Sequence, residues 1–489
     1  MCFPKKPALP SSFTLEGQSL IRNNNYISCP NPDFQRTPYL TLNGEYDLEV
    51  NKDSLLPRIY HGSCLLPYPI GSLLFGVNKS KKKGLHYHFR KKFNIPLDFV
   101  KDEVLLHLTK VSGSYSIFLN GHKIYNGSTQ VNLALKVKKE LIEGENEIAF
   151  DFLNEKSPFF GIMGPVYLDS IISEPINDVM VSTDIKAQTV TFLLDTLCPF
   201  GFITLLTPSL QKRIYPFNSA STTISLHDII YWTPDKPFFY QYTIENKSGD
   251  KIIGSFSLHS YSIGIKEGIP CFLLNEQPFS LKGIIDNYYY SDGLTTPANV
   301  EHLKRRMVAI KSLGFNSIRI QNRLEIPDFY YQAEMKGLLL TNDLTYSSLP
   351  LFKDELNYLK NFEALFLVII HVEDKDVNLE GVLSFVKAIM KGKLVIILGK
   401  RKSIGDLAYL KTVKDHIKKN TPSLRGVISY KKDYLKHFET YINNNYLKDS
   451  IKGMVGFYYS SLNSPNDGIF NVECSKRRYK IIDFQNLLK

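Results

Sequence analysis

The chain has 489 residues, of which 43% are hydrophobic and 22% charged, with a net charge of +11; this composition is typical of a globular protein of about two to four domains. The lysines are interspersed and their densest cluster, 79–83, falls in a predicted loop, so the charge indicates a solvated surface and no nucleic-acid partner. No stretch is long and apolar enough for a membrane span, and the six cysteines lack metal-type spacing, which predicts a cytoplasmic protein with no membrane partner.

Residues 1–172 are predicted to form an all-β domain. Short runs of alternating polar and apolar residues recur at 39–50, 103–125 and 145–153, and Asn43-Gly44 and Asn120-Gly121 supply hairpin turns. Regularly spaced strands without intervening helices predict a β-sandwich or jelly roll.

Residues 173–263 contain a second series of alternating runs. Their length and spacing predict an immunoglobulin-like β-sandwich. Trp232, the only tryptophan, lies in this segment. We predict that it packs in the core or between domains rather than stacking on a sugar.

Residues 264–489 are predicted to form an α/β domain in which apolar strands alternate with amphipathic helices. The predicted strands are 281–285, 315–320, 338–341, 364–371, 394–398, 424–429 and 454–459, and the predicted helices are 300–313, 327–335, 379–390, 404–418 and 435–447. Gly314 ends the first of these helices. Strands and helices in this order predict a parallel sheet or barrel.

Polar residues follow the first three predicted strands of this domain. Asp286 and Asn287 follow the first strand, Arg319 and Asn322 lie at the end of the second, and Asp343 follows the third. Barrel enzymes carry their working residues where the strands end. These five residues are therefore the candidate substrate-binding residues.

Phrases in all three segments resemble glycoside hydrolase family 2, the β-galactosidase, β-glucuronidase and β-mannosidase group. They are YLTLNGEYDLEV and IFLNGHKI in the first segment, YWTPDKPFFYQYTIE in the second, and LKGIIDNYYYSDGL and GFNSIRIQN in the third. The resemblance implies that the third segment forms a (β/α)8 barrel, the TIM barrel, which is small or incomplete because seven strands are predicted instead of eight. It implies a three-domain order, with this barrel after the two β-domains, and a carbohydrate partner, a β-glycoside. It also implies the chemistry of a retaining glycosidase.

A retaining glycosidase uses one carboxyl group to protonate the leaving oxygen and a second to attack the anomeric carbon. The resemblance implies that the acid/base is a Glu, preceded by Asn, at the end of the fourth barrel strand. Counting strands in order places Glu373 there, after Val372, and keeps every earlier strand in register. Aligning the phrase KRKSIG with the family motif would place Lys402 there instead. Glu373 can also be interpreted as part of a charged, solvated loop.

The resemblance implies a nucleophilic Glu at the end of the seventh strand. The residue after the predicted strand 424–429 is Tyr430, followed by two lysines. Tyrosine is the nucleophile of sialidases, but a packing role is the simpler interpretation in a chain with 29 tyrosines. Other acids that could supply the second carboxylate are Asp286, Asp292, Asp343 and Asp374.

His86 and His88 alternate along a predicted strand and so share one face of it. Two side chains are too few to predict a metal site. No metal and no cofactor is therefore predicted.

The sequence thus predicts a family 2-like carbohydrate-binding protein with an impaired catalytic pair, a pseudoenzyme. Two alternatives stay open. One is an active retaining β-glycosidase with Glu373 as acid/base, and the other is an interaction scaffold without a sugar site. The oligomeric state is not predicted.

Overall fold

The computed structural model describes residues 13–24, 26, 31–77, 83–155, 159–266, 269–279, 281–286, 290, 292–400, 403–406 and 455–458. These residues form mostly β-sheet with few helices. The predicted elements 424–429 and 435–447, together with Asn287, Lys402 and Tyr430, lie outside the described residues.

The first described element is helix α1 (Leu15–Asn23), whose N-terminus is capped by the side chain of Thr14. The strands that follow are β1 (Gln35–Arg36), β2 (Tyr39–Thr41), β3 (Gly44–Asn51), β4 (Gly62–Leu66), β5 (His86–Asn94), β6 (Glu103–Ser112), β7 (Ser114–Leu119), β8 (His122–Gly127), β9 (Gln130–Lys136), β10 (Glu145–Leu153), β11 (Gly161–Ile162) and β12 (Val166–Ile171), with a 3-10 turn at Lys138–Glu140.

Most of these strands form two antiparallel sheets. One has the order β4-β3-β5-β10-β7-β8, and the other has the order β11-β6-β12-β2, with β9 paired to β6. Phe89 and Phe150 of the first sheet share one hydrophobic cluster with Leu106 and Leu168 of the second. The alternating pattern of the sequence places these side chains on the inner faces.

The next strands are β13 (Ile176–Asp184), β14 (Thr189–Thr196), β15 (Gly201–Leu206), β16 (Lys212–Phe217), β17 (Ser221–Ser225), β18 (Tyr240–Asn246) and β19 (Lys251–Phe256). Four of these strands join β1 in a five-stranded sheet of order β1-β19-β18-β15-β16. The other three form a sheet of order β13-β14-β17. A second hydrophobic cluster, which includes Phe192 and Tyr242, joins the two sheets.

Arg36 connects the two pairs of sheets. It lies in β1, and its guanidinium donates to Asp169 of β12 at 2.8 Å and to Asp250 at 3.1 Å. The Arg36 side chain is 7% exposed, so this ion-pair network is buried. The segment before β2 is thereby joined to both pairs of sheets, which together form the β-rich region of the protein.

The remaining elements begin with the antiparallel strands β20 (Tyr261–Lys266), β21 (Ile269–Leu274) and β22 (Gln277–Pro278). After them come β23 (Leu281–Asp286), α2 (Val300–Ser312), β24 (Ser317–Ile320), α3 (Pro327–Met335), β25 (Leu339–Thr345), α4 (Leu349–Leu359), β26 (Leu365–Val372), α5 (Leu379–Ile389), β27 (Leu394–Gly399), β28 (Ser403–Gly405) and β29 (Val455–Tyr458).

Strands β23 to β29 make one sheet of order β28-β27-β26-β25-β24-β23-β29. Every neighbouring pair is parallel except β27 and β28. In β26, Val368 and Ile370 pack in one cluster and Leu367 and Ile369 in another. The uninterrupted apolar run of β26 is explained by this burial on both faces.

Local signals account for the helices of this sheet. Asn299 caps α2 by accepting from the His302 N–H, and Gly314 follows the helix with a φ of 91°. Pro327 begins α3, and Asn378 caps α5. The predicted strand and helix positions from 281 to 399 are confirmed to within a few residues.

Two differences from the sequence-based predictions are found, and one prediction stays open. Helix α4 has no predicted counterpart. The helix predicted from residue 404 is wrong at its start, because residues 403–405 form β28, in which Gly405 has a φ of 113° and Ile404 packs on the sheet's cluster. The described strands form an open row rather than a closed barrel, so the barrel stays a prediction.

Trp232 packs against the parallel sheet, in a cluster with Leu281, Leu339 and Phe366. It is 1% exposed, and its Nε1–H donates to the Glu334 carbonyl oxygen at 3.3 Å. Trp232 is therefore a buried aromatic side chain between the second pair of sheets and the parallel sheet.

None of the helices in the described ranges has the length and apolar character needed to span a membrane.

Asp328, in the first turn of α3, should give the protein a pH-dependent stability. It is 3% exposed, and burial raises the pKa of its carboxyl to about 7. Because the folded state holds this proton more tightly than the unfolded chain, the stabilisation is complete below about pH 4 and is lost as the pH rises to about 7. In the wild type, this carboxyl lowers the free energy of unfolding by up to about 1.4 kcal/mol per pH unit over that range. Denaturant titrations at several pH values should show that Asp328→Asn lacks this contribution.

Asp376→Asn is the matched control, since Asp376 is exposed. Its stability should follow that of the wild type across the same pH range. If the free energies of unfolding of wild type and Asp328→Asn changed equally with pH, the prediction would be contradicted.

Candidate functional site

The carboxyl ends of four neighbouring parallel strands place polar side chains side by side. Asp286 ends β23, Arg319 lies in β24, Asp343 lies in β25 and His371 lies in β26. The strand order β26-β25-β24-β23 makes them neighbours across the sheet. Asp286 and Asp343 are 1% exposed and Arg319 is 6% exposed, so this cluster is largely shielded from water.

Asp343 is held by two cationic or potentially cationic groups. Arg319 donates from Nε to Oδ1 at 2.9 Å and from Nη2 to Oδ2 at 2.6 Å, and His371 Nε2 lies 2.9 Å from Oδ2. Burial opposes ionisation, but the hydrogen bonds from His371 and Arg319 outweigh it and lower the pKa of Asp343. Asp343 is therefore ionised at neutral pH.

A second ion-pair network surrounds Asp286. Arg306 of α2 donates to Oδ2 at 2.6 Å, and Arg323 donates to Oδ1 at 3.0 Å. Arg323 also donates through Nε to Glu325 Oε1 at 2.7 Å, and the Tyr290 hydroxyl donates to Glu325 Oε2 at 3.3 Å. Two buried carboxylates thus share Arg323, and Asp286 has Arg306 as a second partner.

Hydrogen bonds fix the loop between β24 and α3 that carries Arg323 and Glu325. Asn342 Nδ2 donates to the Arg323 carbonyl oxygen at 3.0 Å, and the Tyr330 hydroxyl donates to Asn342 Oδ1 at 2.9 Å. The Tyr358 hydroxyl donates to the Glu325 carbonyl oxygen at 2.7 Å. The charged groups of the loop are therefore held by α3 and α4.

Lys110 of β6 extends this charged region into the first pair of sheets. It is 9% exposed, and burial lowers the pKa of its ammonium to about 8, against an opposing effect of Glu325. Its backbone has a φ of 54°, and its carbonyl oxygen accepts from the Met163 N–H at 2.9 Å. The β-rich region thus contributes a cation near the strand ends.

The other predicted site residues lie in different surroundings. Asn322 is exposed, with a φ of 50°, and its Oδ1 accepts from the Thr345 hydroxyl at 3.4 Å. Glu373 is exposed in the loop after β26. Asp292 is buried and accepts hydrogen bonds from Thr14. Asp374 accepts from the Asp376 N–H.

Asp286, Arg319 and Asp343 lie at the carboxyl ends of neighbouring parallel strands, as the sequence predicted, but their partners were not predicted. Arg306, Arg323, Glu325, His371 and Lys110 were not among the candidates. One signal was present for Arg306, which lies on the buried face of α2 with Leu303, Met307 and Ile310. A charged residue on an apolar helical face predicts a buried ion pair.

Two cavities lie close to these elements. One of about 280 Å³ opens beside the ends of β26 and β27 and is lined by Asp374, Lys375, Asn378 and Lys400, among others. The other, of about 380 Å³, lies between the β-rich region and α4, with His107, Asp178 and Glu363 in its lining. The 280 Å³ cavity is the one at the edge where a barrel enzyme binds its substrate.

Comparisons with known proteins show the fold. A β-D-glucuronidase of Dictyoglomus thermophilum aligns with a TM-score of 0.72 at 12% identity, over 93% of this chain and 98% of that chain. A β-glucuronidase of an uncultured Clostridium sp. has a TM-score of 0.72 at 15% identity, over 93% and 98%. One from Ruminococcus gnavus, in complex with D-glucaro-δ-lactam, has a TM-score of 0.71 at 11% identity, over 94% and 100%.

No family model and no curated protein matches the sequence. At 11 to 15% identity these structures are informative about architecture alone. The chain is thus similar in fold to these bacterial β-glucuronidases, in alignments that cover 93 to 94% of its length.

Proposed function

We propose that the protein is a glycoside hydrolase family 2-type protein that binds a β-glycoside and has an impaired catalytic pair. The observation that carries the proposal is that the buried carboxylates at and near the strand ends already form ion pairs and hydrogen bonds within the protein. Each oxygen of Asp286, Glu325 and Asp343 faces an arginine, a tyrosine hydroxyl or a histidine at hydrogen-bonding distance. This arrangement leaves those carboxylates poorly placed to attack an anomeric carbon or to protonate a leaving oxygen.

The proposed architecture has a jelly-roll sandwich at 1–172, an immunoglobulin-like sandwich at 173–263 and a small or incomplete (β/α)8 barrel at 264–489. The sugar lies at the carboxyl ends of the barrel strands. Its proposed ligands are Asp286, Asn287, Arg319, Asn322 and Asp343. Support comes from the likeness to β-glucuronidases and from the adjacency of Asp286, Arg319 and Asp343.

Two positions decide whether catalysis is lost. Glu373 follows β26, the fourth parallel strand in chain order, but is exposed, whereas an acid/base carboxyl usually needs a shielded site that raises its pKa. The resemblance to family 2 implies that Tyr430, which lies outside the described residues, takes the nucleophile position. Both features favour binding over hydrolysis.

A panel of aryl β-glycosides that includes β-D-glucuronide tests the proposal. We expect wild type, Glu373→Gln and Tyr430→Phe to release aglycone no faster than a buffer blank, while calorimetry detects saturable binding of at least one sugar. Glu380→Gln, which changes another exposed glutamate, is the matched control.

Hydrolysis by wild type that falls about 10²- to 10⁴-fold in Glu373→Gln but not in Glu380→Gln would overturn the proposal in favour of an active β-glycosidase. Absence of both hydrolysis and sugar binding would overturn it in favour of an interaction scaffold.

A further inference from the structure

Three side chains on the outer face of the first sheet converge on one point. His88 of β5 lies directly opposite Asp151 of β10 in the antiparallel register, and His86 lies two residues earlier on β5. The neighbours Tyr87 and Phe150 point into the hydrophobic cluster, so the three polar side chains share the opposite face. One nitrogen or oxygen atom from each lies within 4.8 Å of those of the other two.

The hydrogen bonding of His88 fixes which of its nitrogens can act as a ligand. Its Nε2 lies 2.9 Å from the Asp53 carbonyl oxygen, which can only accept, so Nε2 carries the proton. Nδ1 is therefore the nitrogen of the His88 ring that is available to a metal ion. A backbone carbonyl bound to the distal nitrogen is the usual means of orienting a metal-ligating histidine.

This nitrogen is directed at a carboxylate. His88 Nδ1 lies 3.5 Å from Asp151 Oδ1, and it has no hydrogen-bond partner among the described residues. His88 is 0% exposed and Asp151 is 7% exposed. Two acceptors facing each other in a buried position repel unless a cation lies between them.

The distances suit a transition-metal ion. Ligand atoms of a tetrahedral zinc site lie about 3.3 Å apart, as follows from metal–ligand distances of about 2.0–2.1 Å. The observed separations are 3.5 Å from Asp151 Oδ1 to His88 Nδ1 and 2.8 Å from Asp151 Oδ1 to His86 Nδ1. A small outward movement of His86 therefore makes room for the ion, which takes the place of the proton on His86 Nδ1.

We propose that His86, His88 and Asp151 form a binding site for a divalent transition-metal ion of the zinc type. Two imidazoles and one carboxylate favour such an ion over calcium or magnesium, which prefer oxygen ligands. The His86 side chain is 15% exposed, so the open coordination position faces solvent and is available to water. The ion connects β5 to β10, and its ligand His88 is bonded to the loop at Asp53.

The test uses the full chain without an affinity tag, after treatment with a chelator. Titration with Co²⁺, followed by visible absorption, should saturate at one equivalent with the bands of a protein-bound ion, and Zn²⁺ should displace it. His88→Gln and Asp151→Asn should each weaken binding at least about tenfold. His122→Gln, which alters an exposed histidine of β8, should bind like wild type.

Zn²⁺ should also raise the Tm of wild type and of His122→Gln but not that of the ligand variants. If the buried variants fail to fold, His86→Gln serves in their place because its side chain reaches the surface. Lack of saturable Co²⁺ or Zn²⁺ binding by wild type would overturn the proposal. Equal affinity in wild type and a folded ligand variant would overturn it as well.

Discussion

Replacing Arg323 with methionine is expected to lower the free energy of unfolding by about 3–5 kcal/mol. Arg323 donates to Asp286 at 3.0 Å and to Glu325 at 2.6 Å, and both carboxylates have side chains that are 1% exposed. Methionine fills similar space but carries no charge, so two buried carboxylates lose a shared cation. Denaturant-induced unfolding of the two proteins at neutral pH measures the difference.

Arg58→Met is the matched control, since Arg58 is exposed. Its free energy of unfolding should change by no more than about 0.5 kcal/mol. Arg323→Lys should fall between wild type and Arg323→Met, because an ammonium keeps the charge but lacks the planar fork. A loss below about 1 kcal/mol in Arg323→Met, the range of an exposed ion pair, would contradict the prediction.

Replacing Trp232 with alanine is expected to cost about 3–5 kcal/mol. The ring is 1% exposed and packs with Leu339 and Phe366, residues of two parallel strands. Alanine leaves a cavity and removes the Nε1 hydrogen bond to Glu334. Thermal and denaturant unfolding should show the loss, because the contact joins two parts of the chain.

Tyr231→Ala is the control one residue away, since Tyr231 is 38% exposed. A change below about 1 kcal/mol is expected there. Trp232→Phe should retain much of the packing and lose less stability than Trp232→Ala. Equal losses in the free energy of unfolding for Trp232→Ala and Tyr231→Ala would show that the Trp232 ring does not stabilise this interface.

Local pattern predicted the parallel sheet well. The prediction for α3, 327–335, is the helix found, and β26 and β27 lie within one residue of their predicted bounds. Both faces of β26 are buried, which makes its apolar run continuous and easy to recognise. Helix α4 was missed although the structure buries Phe352 and Leu356 against the sheet.

The candidate site could be predicted only in part. Asp286, Arg319 and Asp343 follow from the rule that working residues stand where parallel strands end. Their partners do not follow from it, since Arg306 comes from a helix and Lys110 from a strand of another sheet. Whether Glu373 takes part in any reaction stays a prediction.

Apart from α4, the sequence by itself determined where strands and helices form between 281 and 399, because periodicity and caps are local properties. It also determined which polar residues end the strands. Only the tertiary structure decided which charges meet. Arg36 and Asp169 are 133 positions apart, and His86 and Asp151 are 65 apart. Such pairs arise from strand register and sheet order, which local patterns do not encode.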